Sequence, residues 1–162
     1  MQKIIFATHL LPFQIDPITN KLEKRKRHTS VYAVTSIRHL YIGLAEECYD
    51  DSRFAAVNCI PLSASKSTLY GHYEGYCKQE LWPLLHYMNS NKNENSDNWK
   101  CYQIVNQMFA DAIVQNYVPG DAIWINDYHL LMVSFHNIDT SNGSKTIAKR
   151  SHCILSAHPF SH

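Results

Sequence analysis

The stretch WKCYQIVNQMFADAIVQNYVPGDAIWINDYHLLMV, residues 99–133, decides the fold. Apolar residues recur at spacings of three and four over residues 99–117, which predicts an amphipathic helix. Its buried face is expected to carry Tyr102, Val105, Phe109, Ala112 and Ile113. Residues 117–121 read as a helix stop and a turn, residues 122–125 as a short buried strand, and residues 128–135 as a second helix.

Four further apolar runs predict buried strands. They cover residues 3–7, 37–43, 54–60 and 152–157, with Pro61 ending the third. Pro12 and Pro17 are expected to break regular structure after the first strand. Within residues 71–87, Trp82-Pro83 is expected to begin a helical piece. Residues 88–98 and 137–146 read as polar loops. Strands that alternate with helices and show little polar alternation predict an α/β fold with a parallel sheet.

Composition excludes several classes of protein. With 162 residues, 45% hydrophobic and 18% charged, the chain suits one globular domain with a real core. A net charge of +1 gives no reason to expect a general nucleic-acid binder. The five cysteines form no C-x-x-C pair, which favours free thiols in a reducing compartment. No apolar run approaches a membrane span, and the N-terminus lacks a signal-peptide cleavage site, so we expect a soluble, cytoplasmic protein.

Positive charge concentrates near the N-terminus, where residues 1–30 carry six Lys or Arg and two acidic residues. Its centre, KLEKRKRH at residues 21–28, reads either as a solvated loop or as a phosphate or nucleic-acid contact. Glycine is scarce, with five in the chain and none before Gly43. Little material is therefore left for a loop that would cradle a phosphate.

Position in the predicted sheet selects candidate site residues, because ligands of open parallel sheets bind beyond the carboxyl ends of the strands. The rule selects His9, Gly43, the pair Asn126-Asp127, and His158. Asp127 follows a strand and precedes a helix, so its carboxylate could accept hydrogen bonds from a sugar. It could equally cap the helix N-terminus, and the two roles can coexist.

Aromatic and metal-ligating residues supply two further hypotheses. Tyr70, Tyr73, Tyr76 and Trp82 could form a platform that stacks on a sugar or base, or they could pack in the core. His152, His158 and His162 lie near Cys153, but their spacing fits no standard zinc pattern. We therefore predict no metal site.

Four motifs resemble those of the trehalose-6-phosphate synthase family, glycosyltransferase family 20. GDAIWINDYHLLMV, residues 120–133, is similar to G-D-x-x-W-x-H-D-Y-H-L, and GHYEGYCKQELWPLLHY, residues 71–87, to Y-Y-x-G-F-x-N-x-x-L-W-P-L-F-H-Y. The helix with Tyr102 and Asn106 resembles Y-x-x-V-N-x-x-F-A, and AHPF at residues 157–160 resembles H-T-P-F. The resemblance implies that residues 1–162 form a Rossmann-like domain, the N-terminal half of a GT-B glycosyltransferase.

The family transfers glucose, with retention, from UDP-glucose to glucose 6-phosphate, and needs neither a metal nor another cofactor. Carried over by motif, Tyr73, Trp82 and Asp127 match positions that contact the acceptor glucose 6-phosphate. Gly43, in the counterpart of W-x-G-W, falls on the donor side. The catalytic His of H-T-P-F falls on Ala157, with His158 one place later.

Departures from the family pattern make activity of this chain alone doubtful. Leu10 stands where the active synthases have a phosphate-binding Arg, and the Gly-Gly loop that covers the donor is missing. The run HLLPFQI looks closer to the T-Q-L-P-Y-K-I start of regulatory and phosphatase-bearing members. The second Rossmann domain, which holds the nucleotide, is not in these residues. We therefore expect either the acceptor half of a glucosyltransferase, inactive alone, or a non-catalytic regulatory or scaffold subunit that binds other trehalose-synthesis subunits.

Overall fold

The computed structural model of the chain describes residues 3–25, 37–45, 52–88, 96–134 and 153–156. Its strands are β1 (Ile4–Leu10), β2 (Phe13–Ile15), β3 (Leu22–Lys24), β4 (His39–Leu44), β5 (Cys59–Leu62), β6 (Ala122–Asn126) and β7 (Cys153–Ser156). Its α-helices are α1 (Ser52–Ala56), α2 (Lys66–Tyr70), α3 (Trp82–Leu85) and α4 (Ser96–Asn116). A π-helical segment (Gly71–Leu81) joins α2 to α3, and a 3-10 segment (Tyr128–Ser134) follows β6.

The main sheet has the order β5-β4-β1-β6-β7, and every neighbouring pair is parallel. Counted along the chain within this sheet, the order is 3-2-1-4-5, which is the Rossmann arrangement. The predicted α/β fold with a Rossmann-like parallel sheet is therefore confirmed. The first, second, fourth and last predicted strands are found close to their expected positions as β1, β4, β6 and β7.

The core lies on both faces of the sheet, as the alternation of side chains along β1 requires. Ile5 and Ala7 belong to the larger apolar cluster, which includes the buried face of α4. Phe6 points the other way, into a smaller cluster with Tyr41 and Phe54. Helix α4 was correctly predicted. The five residues named for its buried face, Tyr102, Val105, Phe109, Ala112 and Ile113, are between 0% and 7% exposed.

The prediction of a strand over residues 54–60 was wrong. Ser52–Ala56 form helix α1, which buries Phe54, and a turn with Asn58 at a φ of 54° leads into β5. Pro61 lies inside β5 and does not end it. A proline is tolerated there because β5 pairs only with β4, at the edge of the sheet as described.

The expectation that Pro12 and Pro17 prevent regular structure was also wrong. Between and after them β2 and β3 form an antiparallel hairpin, so part of the basic run at residues 21–28 is strand. Its turn is held by Asp16, whose Oδ1 accepts hydrogen bonds from the backbone N–H groups of Ile18 (2.8 Å) and Thr19 (2.6 Å). These bonds lower the pKa of the Asp16 carboxyl.

Most of the predicted loops, residues 88–98 and 137–146, lie outside the described residues, although α4 already begins at Ser96. Within the described part of the chain no helix is both long and apolar enough to cross a membrane.

Gly43 allows the closest approach between β4 and β1. A Cβ added there would lie 2.8 Å from both the Leu11 nitrogen and the Thr8 oxygen, which are backbone atoms at the end of β1. We expect Gly43→Ala to lower the free energy of unfolding by about 1–3 kcal/mol, because the backbone of β1 must move to admit the methyl group. Urea denaturation of the two proteins measures the difference.

Gly75 supplies the matched control. A Cβ added at Gly75 would first meet the Asn98 side chain, since the three atoms nearest to it all belong to that residue and none is a backbone atom. Removing the obstacle with Asn98→Ala should therefore restore the stability lost in Gly75→Ala. If Gly43→Ala were as stable as the wild type, the close approach would not constrain the sheet.

Candidate functional site

The candidate site lies where the chain reverses its direction of travel across the sheet. From β1 the chain first adds β4 and β5 on one side and later adds β6 and β7 on the other. The carboxyl ends of β1 and β6 therefore meet at a topological switch point, the usual ligand position in open parallel sheets, and we call the region beyond them the crevice. His9 comes from the end of β1, and Asp127 follows the end of β6.

His9 owes its position to an irregularity in β1. Thr8 pairs with Gly43 and Leu10 with Leu44, so His9 is an extra residue without its own partner in β4. The Thr8 hydroxyl donates to the Leu10 carbonyl (2.8 Å) across this irregularity. Bulges of this kind re-aim a side chain and are frequent beside active sites.

The π-helical segment brings a second group of side chains to the crevice. Gly71 and Gly75 face α4, where a Cβ would meet Cys101 and Asn98, so the segment packs tightly against that helix. His72 and Cys77 are completely buried. π-helical turns are rare and often occur at functional sites.

Buried polar side chains of α4 hold the third element, the 3-10 segment. The Tyr102 hydroxyl donates to the Tyr128 carbonyl (2.9 Å) and accepts from the Leu131 N–H (3.2 Å). The Asn106 amide donates to the His129 carbonyl (3.2 Å) and accepts from the Met132 N–H (3.1 Å). This segment was predicted as a helix, and these four bonds fix it in its tighter form.

Asp127 adopts the left-handed backbone conformation, with a φ of 75°. Its Oδ1 accepts a hydrogen bond from the N–H of the next residue, Tyr128, at 2.7 Å. Oδ2 lies 3.6 Å from His129 Nδ1, and the Asp127 side chain is 24% exposed. The carboxylate therefore binds the backbone at the start of the 3-10 segment and also reaches solvent, where it can accept further hydrogen bonds. It is not a standard N-cap, because such a residue has extended backbone and accepts from the second or third N–H of the helix.

Four rings form what we call the ring stack, namely His9, His72, Tyr73 and His129. The His9 ring centroid lies 4.5 Å from that of His129, 5.0 Å from that of Tyr73 and 5.3 Å from that of His72, with interplanar angles of 23–25°. The Tyr73 and His129 centroids are 5.4 Å apart. Strand β1, the π-helical segment and the 3-10 segment thus together supply these four rings.

The three imidazoles of the ring stack are held neutral. Burial lowers the pKa of His9, His72 and His129 to about 3, and the neighbouring imidazoles, with Arg25 near His9, add to the effect. Both ring nitrogens of His72 and His129, and Nδ1 of His9, find no hydrogen-bond partner among the described residues. The ring stack is therefore an uncharged group of rings whose unpaired nitrogens are buried and closed to solvent.

Tyr73, Trp82 and Asp127 are brought together around Tyr128-His129. The Trp82 ring centroid lies 5.8 Å from that of Tyr128, and Tyr73 and Asp127 both approach His129. Trp82 is 42% exposed and stands at the edge of the crevice. Of the other predicted platform residues, Tyr76 packs against Tyr102 and Trp99 on α4, and Tyr70 is exposed.

The remaining predicted residues do not join this group. Gly43 lies in β4, where it allows close packing, and its role on the donor side stays a prediction. His158, Ala157, His152 and His162 lie outside the described residues, and of Cys153 only its place in β7 is described. Within the described part of the chain no three His, Cys, Asp or Glu residues are arranged to hold a metal ion.

Sequence reasoning missed His72 and His129 as site residues. His129 stands inside the D-Y-H part of a quoted motif, which was a usable signal. His72 had no such signal, because its motif position is an aromatic residue and its proximity to His9 depends on the bulge in β1.

The parallel Rossmann-like sheet, with aromatic side chains and a carboxylate at its switch point, places this chain among the α/β domains. The model of glycosyltransferase family 20 matches residues 18–140, and the chain belongs to this family.

Curated relatives are similar over shorter stretches. The chain is 49% identical over 72 residues to a putative alpha,alpha-trehalose-phosphate synthase (UDP-forming) 100 kDa subunit of Schizosaccharomyces pombe. The matched stretch covers 43% of this chain and 8% of the relative. It is 49% identical over 77 residues to the trehalose synthase complex regulatory subunit TSL1 of Saccharomyces cerevisiae, covering 45% and 7%. The match thus spans less than a tenth of either relative.

Among solved structures, the Candida albicans trehalose-6-phosphate phosphatase N-terminal domain has a TM-score of 0.64 and 23% identity, covering 83% of this chain and 30% of the other. At this identity the likeness shows a common fold. The expectation of a trehalose-phosphate synthase-type Rossmann-like domain is confirmed.

The neutral histidines predict how stability depends on pH. Each stays neutral in the folded state to about pH 3 but takes up a proton near its ordinary pKa of 6.5 once unfolded. Their stabilising contribution is therefore complete above pH 6.5 and is lost as the pH falls. Below about pH 5.5 each should lower the free energy of unfolding by about 1.4 kcal/mol per pH unit.

His72→Phe tests this assignment. The substitution replaces a buried ring with unpaired nitrogens by an apolar ring of similar shape, so stability at pH 7 should be kept or raised. Between pH 6.5 and 4.5 the free energy of unfolding should fall less steeply with decreasing pH in the variant than in the wild type. The difference should equal the contribution of one histidine. Parallel wild-type and variant profiles would contradict a neutral, buried His72.

Proposed function

We propose that this chain forms the acceptor-binding half of a trehalose-phosphate synthase-type protein and that its crevice binds glucose 6-phosphate. The observation that carries the proposal is the convergence of Tyr73, Trp82 and Asp127 on Tyr128-His129 at the switch point. These are the three positions that the family motifs assign to the acceptor sugar. In the complete protein UDP-glucose would be the donor, and we propose a cytoplasmic location.

The chemistry of the crevice suits a sugar. The half-exposed Trp82 ring offers an apolar face for the C–H side of a pyranose. The Asp127 carboxylate, held by the Tyr128 N–H at 2.7 Å, can accept hydrogen bonds from sugar hydroxyls. The neutral rings of His9 and His129 stack on Tyr73 and hold its ring in place.

Calorimetry with glucose 6-phosphate tests the acceptor site. We expect the chain to bind the sugar phosphate at millimolar concentration, and Asp127→Ala or Trp82→Ala to weaken binding about tenfold, as for a lost charged hydrogen bond or a lost stacking ring. Asp111→Ala and Tyr87→Ala are matched controls, because both residues are exposed and away from the crevice. Absence of heat with the wild type would reject the proposal.

A regulatory role is the second candidate, and Leu10 favours it. Leu10 occupies the position of the phosphate-binding Arg in active synthases and packs against the larger apolar cluster. One relative named above is a regulatory subunit of a trehalose synthase complex. In this alternative the domain scaffolds other trehalose-synthesis subunits and transfers no glucose.

Measuring the release of UDP from UDP-glucose in the presence of glucose 6-phosphate tests glucose transfer directly. The GT-B class places its active site between two Rossmann-like domains, and these residues supply one such sheet. We therefore expect no UDP release above the Asp127→Ala background from the 162-residue chain. Turnover that Asp127→Ala abolishes would argue against the regulatory alternative.

A further inference from the structure

A binding site for a sugar phosphate needs positive charge. At the end of β1, Leu10 stands where the family motif has an Arg, and the nearby Arg25 guanidinium is bonded to the Leu11 carbonyl (3.0 Å). The ring stack is also uncharged at neutral pH. We propose that Lys78, on the π-helical segment, binds the phosphate group of the acceptor sugar. This inference rests on the proposed function and names the residue that would select a phosphorylated sugar over a neutral one.

The π-helical turn places Lys78 over the site. Its Nζ lies 4.7 Å from the centroid of the Tyr73 ring, a cation–π contact. Hydrogen bonds that close at i+5, such as that from the Trp82 N–H to the Cys77 carbonyl, put residues five apart on successive turns. In an α-helix Tyr73 and Lys78 would point in different directions, because neighbours there are three or four residues apart.

Lys78 also distinguishes this chain from the family pattern. Counted back from Leu81-Trp82-Pro83, residue 78 is the position at which the motif has Asn. A neutral position has therefore become a cation, while the cationic position at residue 10 has become apolar. In the sequence Lys78 lies five residues after Tyr73 and four before Trp82, and in the structure its ammonium group lies over the Tyr73 ring.

Glu74 modulates the charge that a ligand would meet. Its carboxylate accepts a hydrogen bond from Lys78 Nζ at 2.7 Å, and this bond raises the pKa of the Lys78 ammonium group. The two side chains are 47% and 40% exposed. Exposed ion pairs of this kind contribute little free energy, so a phosphate dianion can replace the carboxylate at Lys78.

Two other described cations are committed to different contacts. Arg25 Nε donates to the Leu11 carbonyl (3.0 Å) at the end of β1. Lys100 pairs with Asp97 (3.1 Å) on the exposed first turns of α4. Lys100 thus offers the same type of helical ion pair as Lys78 without a site ring beneath it, which makes it the matched control.

Calorimetry with glucose 6-phosphate and with glucose separates the contribution of the phosphate from that of the sugar. We expect Lys78→Gln to weaken glucose 6-phosphate binding about tenfold and to leave glucose binding unchanged, since only the phosphate would lose its partner. Lys78→Arg should retain binding, and Lys100→Gln should have no effect. Glu74→Gln should tighten glucose 6-phosphate binding about threefold, because it removes the competing carboxylate.

The possible failures are distinguishable. If Lys78→Gln bound glucose 6-phosphate as tightly as the wild type, the role of Lys78 would be rejected, but the proposed acceptor site would not be. If Lys78→Gln weakened both sugars equally, the residue would support the fold of the segment and not the phosphate. If the wild type bound neither sugar, both the proposed function and the role of Lys78 would be rejected.

Discussion

The hydrogen bonds that Tyr102 and Asn106 make to the backbone after β6 are the constraint on which the site depends. Both side chains are buried on α4, and they bind the carbonyls of Tyr128 and His129 directly. Since a 3-10 segment has weaker internal bonding than an α-helix, it needs such external partners. The two side chains thereby set where the His129 ring lies, and with it the Asp127 carboxylate and the ring stack.

The fold tolerates a costly arrangement at this point. Burying an imidazole nitrogen without a partner costs free energy, and His72 and His129 together contribute four such atoms. The neutral state of the rings limits the penalty, because a buried charge would cost far more. Stacking of both rings on His9, and of His129 on Tyr73, offsets part of the penalty. Unpaired buried polar atoms are uncommon in folded proteins, and here they lie beside the proposed acceptor site.

The sequence predicted those parts of the molecule that depend on local pattern. Helix α4 and strand β6 follow from apolar periodicity. The acceptor contacts of Tyr73, Trp82 and Asp127, which the motifs imply, stay a prediction. Residues 54–60 were misread because a short apolar run is compatible with either a strand or a helix, and burial of Phe54 does not separate the two. The bulge at His9 could not be foreseen, because it is a mismatch of register between β1 and β4. The ring stack requires that bulge, the π-helical segment and the 3-10 segment simultaneously.

Leu10 shows how a position can lose a charge without a change of fold. Leu10 packs against the core cluster that includes Ile42 and Leu44, so the change from a cation adds an apolar contact and leaves the sheet intact. The fold and the proposed sugar contacts depend on β1, β6 and α4, whereas the charge around the proposed site depends on a few replaceable side chains. Charge can therefore be removed at residue 10 or introduced at residue 78 while the crevice keeps its shape, and function can diverge on an unchanged scaffold.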